Sequence, residues 1–356
     1  MKSRIYWKEI ASFKDEIARA IPLEELKELH RKRPGLHLAY TARQFAIIAL
    51  CSYGLIRLDN PLVWAPLLIL QGFTFFNMTT LLHEVVHNSI FMIPKPAFER
   101  ALGLVYAITS SISASQFTRW HLDHHDNLGS YEDDPKRHWL SPKRNARWYK
   151  LLYCTPVLIP LYFRAAASET ASYEPELRTR IARERIATIL IQATVGASLW
   201  FFAGTGAMLR VWLIPYLFVF PVAFTLNRLG QHYNIDPTNP MKWSTLMKPS
   251  RIWDFLFLYS NYHLEHHYFP RVPFYNLRRV HMRLRPFYER IGLKQHTYRG
   301  IAWQWFVLNK QPHTNWESGA AQSPGGPGSS TGDPEHRPTR AAAVDQGQVA
   351  ARVAVR

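Results

Sequence analysis

Nine of the 16 histidines in this 356-residue chain fall in four tight places. His83 and His87 stand in H-E-V-V-H, His121, His124 and His125 in H-L-D-H-H, and His263, His266 and His267 in H-L-E-H-H. His232 stands alone in Gly230-Gln231-His232-Tyr233-Asn234. On a helix, residues at i, i+3 and i+4 share one face, so all the imidazoles of one box can point into one cavity. Neutral imidazole binds iron, zinc, copper and nickel. Nine such groups exceed what one ion can hold and suit two ions with several ligands each. Glu84, Asp123 and Glu265, inside the boxes, are candidates either for acceptors of ligand N–H groups or for solvated helix-face charges. The remaining histidines (His30, His37, His138, His281, His296, His313 and His336) read as polar anchors at an interface.

The elements that must position these boxes are apolar and long. Residues 39–57 and 61–82 are joined by Arg57-Leu58-Asp59-Asn60-Pro61, and residues 186–203 and 207–226 by Gly204-Thr205-Gly206. A spanning helix needs about 20 apolar residues, so the pattern predicts four membrane-crossing helices in two hairpins. Residues 98–117 (rich in Ser and Thr) and 148–164 (holding Pro156 and Pro160) read as helices on the cytoplasmic side. A lone span at 148–164 would leave Arg178, Arg180, Arg183 and Arg185 outside, against the positive-inside bias. The expected fold is therefore an all-α integral membrane protein. A cytoplasmic helical cap holds the histidines, and both termini lie on that same cytoplasmic side.

Residues 1–34 are expected to form amphipathic cytoplasmic helices, through Ile10, Phe13, Ile17, Ile21, Leu23, Leu26 and Leu29. The N-terminus is charged throughout and lacks the apolar core of a signal peptide. Residues 35–316 form the membrane domain, and residues 317–356, poor in large apolar side chains, read as a disordered tail. The formal net charge of +17 (43 Lys and Arg against 26 Asp and Glu) could suggest nucleic acid. Its placement beside long apolar blocks instead fits the anionic cytoplasmic leaflet. Cys51 and Cys154 lie far apart in apolar blocks, which fits a reducing compartment rather than a disulfide framework.

In the order of hairpin, H-E-V-V-H, H-L-D-H-H, hairpin, isolated histidine and H-L-E-H-H, residues 35–310 resemble the membrane fatty-acid desaturase superfamily. The stretch Tyr262-His263-Leu264-Glu265-His266-His267-Tyr268-Phe269-Pro270 is especially similar to its last box. The resemblance implies two iron ions held by His83, His87, His121, His124, His125, His232, His263, His266 and His267. It also implies molecular oxygen as co-substrate, a lipid or acyl substrate, and electrons from ferredoxin or cytochrome b5. No His-Pro-Gly-Gly haem signature is present, so the donor is external. One departure stands beside His232. Some members have an asparagine four residues earlier that completes the metal shell through water, and here that position is Arg228, with Asn227 and Gln231 close by.

The expected reaction is desaturation of a fatty acyl chain. Hydroxylation, or ketolation or hydroxylation of a carotenoid, are alternatives within the same superfamily. Ser110, Ser111, Thr118 and Trp120 are candidates for tunnel lining or for plain packing. Two rivals come from other classes. H-E-V-V-H matches the zinc-protease pattern, with Glu84 as base, but leaves seven clustered histidines without a role. A metal transporter would place its ligands near the midplane of spanning helices, whereas these lie at helix ends.

Overall fold

Prolines open the long apolar helices and short polar turns reverse them. The computed structural model describes residues 5–130, 132–236 and 239–313, which are helical with no strand. Helix α1 (Pro34–Arg57) and helix α2 (Pro61–Val86) each begin with proline in the first turn, where its missing N–H costs nothing. Between them Asn60 caps α2 by accepting the Leu62 N–H at 3.0 Å. Gln71 reaches back to Ser52 Oγ at 2.9 Å, so the two helices pack as an antiparallel hairpin.

Helix α3 (Pro96–Thr109) and helix α4 (Ala114–Asn127) follow, then helix α5 (Leu158–Thr170). Helix α6 (Pro175–Met208) is broken at Gly204, whose φ of 83° lies in the left-handed region that glycine enters without strain. The chain turns back there through the wide π-type turns Leu209–Leu213 and Pro215–Val219 into helix α7 (Phe220–His232). The returning π-helical limb of this second hairpin bonds α6 through Trp212 Nε1 to Gln192 Oε1 at 2.8 Å. It stacks on α2 through Tyr216 and Phe75, with ring centroids 4.2 Å apart. Helix α8 (His263–Tyr268) and helix α9 (Phe274–Arg290) complete the frame around the histidines.

Among the described residues, two stretches are long and apolar enough to cross a membrane: Pro61–Val86, and Pro175–His232, which contains the reversal at Gly204. Helix α1, which carries His37, Arg43 and Gln44, is not one of them. The outer faces of these helices expose large apolar side chains, including Leu50 (70%), Leu62 (85%), Phe201 (75%) and Phe202 (82%). Contiguous exposure of this kind is rare on a water-soluble monomer and fits lipid contact.

The two segments read as cytoplasmic-side helices are each broken. Residues 98–117 divide between α3 and α4 at Ser110–Ser113, with Ser111 at φ 60°. Residues 148–164 divide between the helix Arg147–Leu152 and α5. The N-terminal helices Ile5–Ile10, Lys14–Arg19 and Leu23–Leu29 bury Tyr6, Ile10, Ile17, Ile21 and Leu29 in the main core, while Leu23 stays exposed. The expected tail, residues 317–356, lies outside the described residues, as does His336.

Candidate metal centre

Each box sits where its helix can aim it inward. His83 occupies the last turn of α2 and His87 its C-terminal cap. His121, His124 and His125 share one face of α4, His263, His266 and His267 one face of the short α8, and His232 ends α7. All are buried except His83, which is partly exposed. The nine fall into two groups, His83, His87, His121, His125 and His266 in one, and His124, His232, His263 and His267 in the other. Within each group the ligand-type nitrogens lie within 4.8 Å of one another. All nine residues singled out from sequence are therefore brought together.

The spacing fits metal ions. In the first group Nε2 atoms approach at 3.0 Å (His83–His266), 2.8 Å (His87–His121) and 3.0 Å (His125–His266). In the second they approach at 3.2 Å (His124–His232), 3.1 Å (His232–His263) and 3.0 Å (His263–His267). Two imidazole nitrogens about 2.1 Å from one ion, at right angles, lie about 3.0 Å apart. A neutral ring has only one N–H, so converging Nε2 atoms cannot all be paired by hydrogen bonds to each other. A cation between them satisfies every lone pair at once.

The far side of several rings fixes the tautomer. Nδ1 of His124 donates to Asp134 at 2.9 and 3.0 Å, and Nδ1 of His232 donates to the Trp243 carbonyl at 2.8 Å. These bonds place the proton on Nδ1 and leave Nε2 free to bind metal. Burial first, and neighbouring imidazoles and Lys136 second, hold His87, His121, His124, His125, His263, His266 and His267 well below the ordinary imidazole value. All are neutral near pH 7, the form that ligates.

Of the three acidic candidates inside the boxes, Glu265 is buried and accepts from His281 Nδ1 and Tyr288 Oη, both at 2.7 Å, which ties α8 to α9. Glu84 accepts the Phe274 N–H at 3.1 Å and stands 3.4 Å from His83 Nδ1. Its carboxylate is thus committed to the fold, contrary to the role a zinc-protease base needs. Asp123 pairs with Arg119 at 3.1 Å. Asp134, the carboxylate that holds His124, lies outside the boxes and was not singled out from sequence. It lies ten residues beyond His124, in a short acidic turn that no spacing pattern marks.

The reading of the other histidines as interfacial anchors needs correction for three of them. His37, His281 and His313 are buried, at 1%, 1% and 3% exposure. His37 is held by Tyr106 Oη at 3.0 Å and joins α1 to α3. Each of these rings finds a polar partner in the interior, which sequence spacing cannot reveal.

A cavity of about 300 Å³ runs from His83, His121, His263 and His266 between α2, α5 and the returning helical limb of the second hairpin. Its walls are mainly aromatic and aliphatic, with Phe76, Trp120, Tyr162 and Tyr216 prominent. Ser110, Ser111 and Trp120 line it, whereas Thr118 turns to the Ala114 carbonyl at 2.8 Å.

A family model for fatty acid desaturases matches residues 59–299. The chain belongs to the fatty acid desaturase family. Among its relatives is a chloroplastic omega-3 fatty acid desaturase of Brassica napus, 27% identical over 290 residues, covering 74% of this chain and 70% of that protein. A human sphingolipid delta(4)-desaturase/C4-monooxygenase is 24% identical over 283 residues, covering 76% and 81%. An endoplasmic reticulum acyl-lipid omega-3 desaturase (cytochrome b5) of Arabidopsis thaliana is 25% identical over 293 residues, covering 74% and 73%. Membership in this family makes the chain a desaturase-type oxidoreductase of lipid metabolism, and it leaves the protease and transporter readings without support.

Proposed function

We propose that this desaturase introduces a C=C bond into an acyl chain, using oxygen and two iron ions held by the nine clustered histidines. The observation that carries the reading is the meeting of two separate histidine groups with the end of an apolar cavity. Iron would supply the oxygen activation that breaking an unactivated C–H bond requires. The chain's own residues do the rest. Phe76, Trp120 and Tyr162 hold a hydrocarbon chain and keep water out, and Asp134 holds the proton at His124 Nδ1. Forming one C=C bond removes two electrons from the substrate, and reducing O2 to water takes four. The other two must come from an external donor, of the cytochrome b5 or ferredoxin type.

The proposed topology has four spans in two hairpins, with the histidine boxes and both termini on the cytoplasmic face. The packed hairpin α1–α2 and the reversal of α6 at Gly204 support it. In the proposed organisation, residues 1–34 form a cytoplasmic cover, residues 35–316 the catalytic membrane domain and residues 317–356 an appended tail.

Expression in a desaturase-deficient host, followed by lipid mass spectrometry with double-bond localisation, tests the reaction. A new double bond that requires His266 is expected. A new hydroxyl group with no double bond would favour the monooxygenase alternative, and no lipid change with full expression would count against both.

A further inference from the structure

The ligand set is entirely neutral imidazole, yet two cationic side chains line the cavity beside it. Lys136 Nζ stands 2.9 Å from His121 Nδ1, at the edge of the first histidine group. Arg228 follows on the same wall. Its guanidinium donates to Ser141 Oγ at 3.0 Å and lies 3.5 Å from the Lys136 carbonyl oxygen. Both residues line the cavity, with the carboxamides of Asn227 and Gln231 next to them.

Asp134 acts on both cations, but its oxygens already accept from His124 Nδ1 and from the backbone N–H groups of Lys136 and Arg137. Glu84, the carboxylate that lines the cavity, accepts the Phe274 N–H. Two metal ions would add further positive charge. Half-buried basic groups in a largely apolar chamber are stabilised by an anion that enters with the ligand.

We propose that Lys136 and Arg228 bind the carboxylate of an amphiphilic substrate, holding its anionic end at the metal side of the cavity. The apolar remainder then takes the tail. This rests on the desaturase reading and narrows it: the C–H bonds offered for reaction lie within the first several carbons of the carboxylate rather than far along the chain. The volume agrees, since about 300 Å³ is at the small end for ligand pockets and suits one modest chain.

Calorimetric titration of the full-length protein in an uncharged detergent tests this, using octanoate, octanol and octyl phosphate, each on the metal-free and the iron-loaded forms. Octanoate should bind about tenfold or more tighter than octanol, the scale of one or two charge-assisted hydrogen bonds. Lys136→Met and Arg228→Gln should each lose most of that preference while octanol binding, the control for an intact cavity, stays unchanged. Arg228→Lys should keep the preference in part. Equal binding of octanoate and octanol by the wild type would overturn the proposal, as would a preference that survives the double variant. Tighter binding of octyl phosphate than of octanoate would overturn the assignment to a carboxylate. The ratio is read without turnover, so a failure to retain iron or to form a double bond would strike the desaturase reading alone. An active desaturase with no carboxylate preference would strike this proposal alone.

Discussion

Asp134 sets how well His124 can serve a metal. Its two oxygens take the Nδ1 proton at 2.9 and 3.0 Å inside a fully buried pair. Asp134→Asn keeps the shape but removes the charge, and metal affinity of the four-histidine group should fall about 10- to 100-fold. Competition with a graded chelator measures this, and an unchanged affinity would show that the bond is ornamental. The boxes themselves were legible in sequence because ligand residues recur at helical spacing. Asp134 was not, because its partner lies in the preceding helix and no spacing rule links a turn to it. Glu265 shows the reverse. Its place in the box raised two possible roles, and the structure gives it His281 and Tyr288, both on α9.

Elements bring the boxes into register through contacts that have no histidine in them. Glu184 on α6 accepts from Ser113 Oγ at 2.7 Å, from the Ser115 N–H at 2.9 Å and from Ser115 Oγ at 2.6 Å, and it is paired with Arg100. A carboxylate at the start of α4 also complements that helix's dipole. Glu184→Gln should cost about 1–3 kcal/mol of stability, read as a lower thermal midpoint with weaker metal retention. A midpoint equal to that of the wild type would mean α4 is held elsewhere. After α4 the chain turns at Gly129 (φ 96°), where an added Cβ would lie 2.1 Å from the Trp243 ring. Trp243 also supplies the carbonyl that orients His232. Gly129→Ala must therefore displace the support of one candidate ligand, and lowered iron retention in folded protein is the expected outcome. Both hairpins could be read from apolar length and turn residues. The splits within 98–117 and 148–164 could not be placed from sequence, because they depend on tertiary fit around the cavity.

At the scale of the whole molecule the basic charge and the apolar outer faces divide the chain between water and lipid. A membrane-impermeant thiol label tests this with single cysteines placed at Arg178 and at the C-terminus of a chain lacking Cys51 and Cys154. Reaction only after the cytoplasmic side is opened is expected, and labelling of intact cells from outside would overturn the four-span topology. Residues 320–356 carry few large apolar side chains, so their deletion should leave lipid oxidation largely intact in the same host. A folded but inactive truncation would show that the tail takes part in the reaction or in donor binding.

The count of metal ions per chain bears most directly on the central claim. Elemental analysis of protein purified without oxygen should give two irons per chain, with a lower count in His266→Ala and in His263→Ala, which empty different histidine groups. One zinc per chain, or an iron content unchanged in both variants, would contradict a nine-histidine di-iron centre.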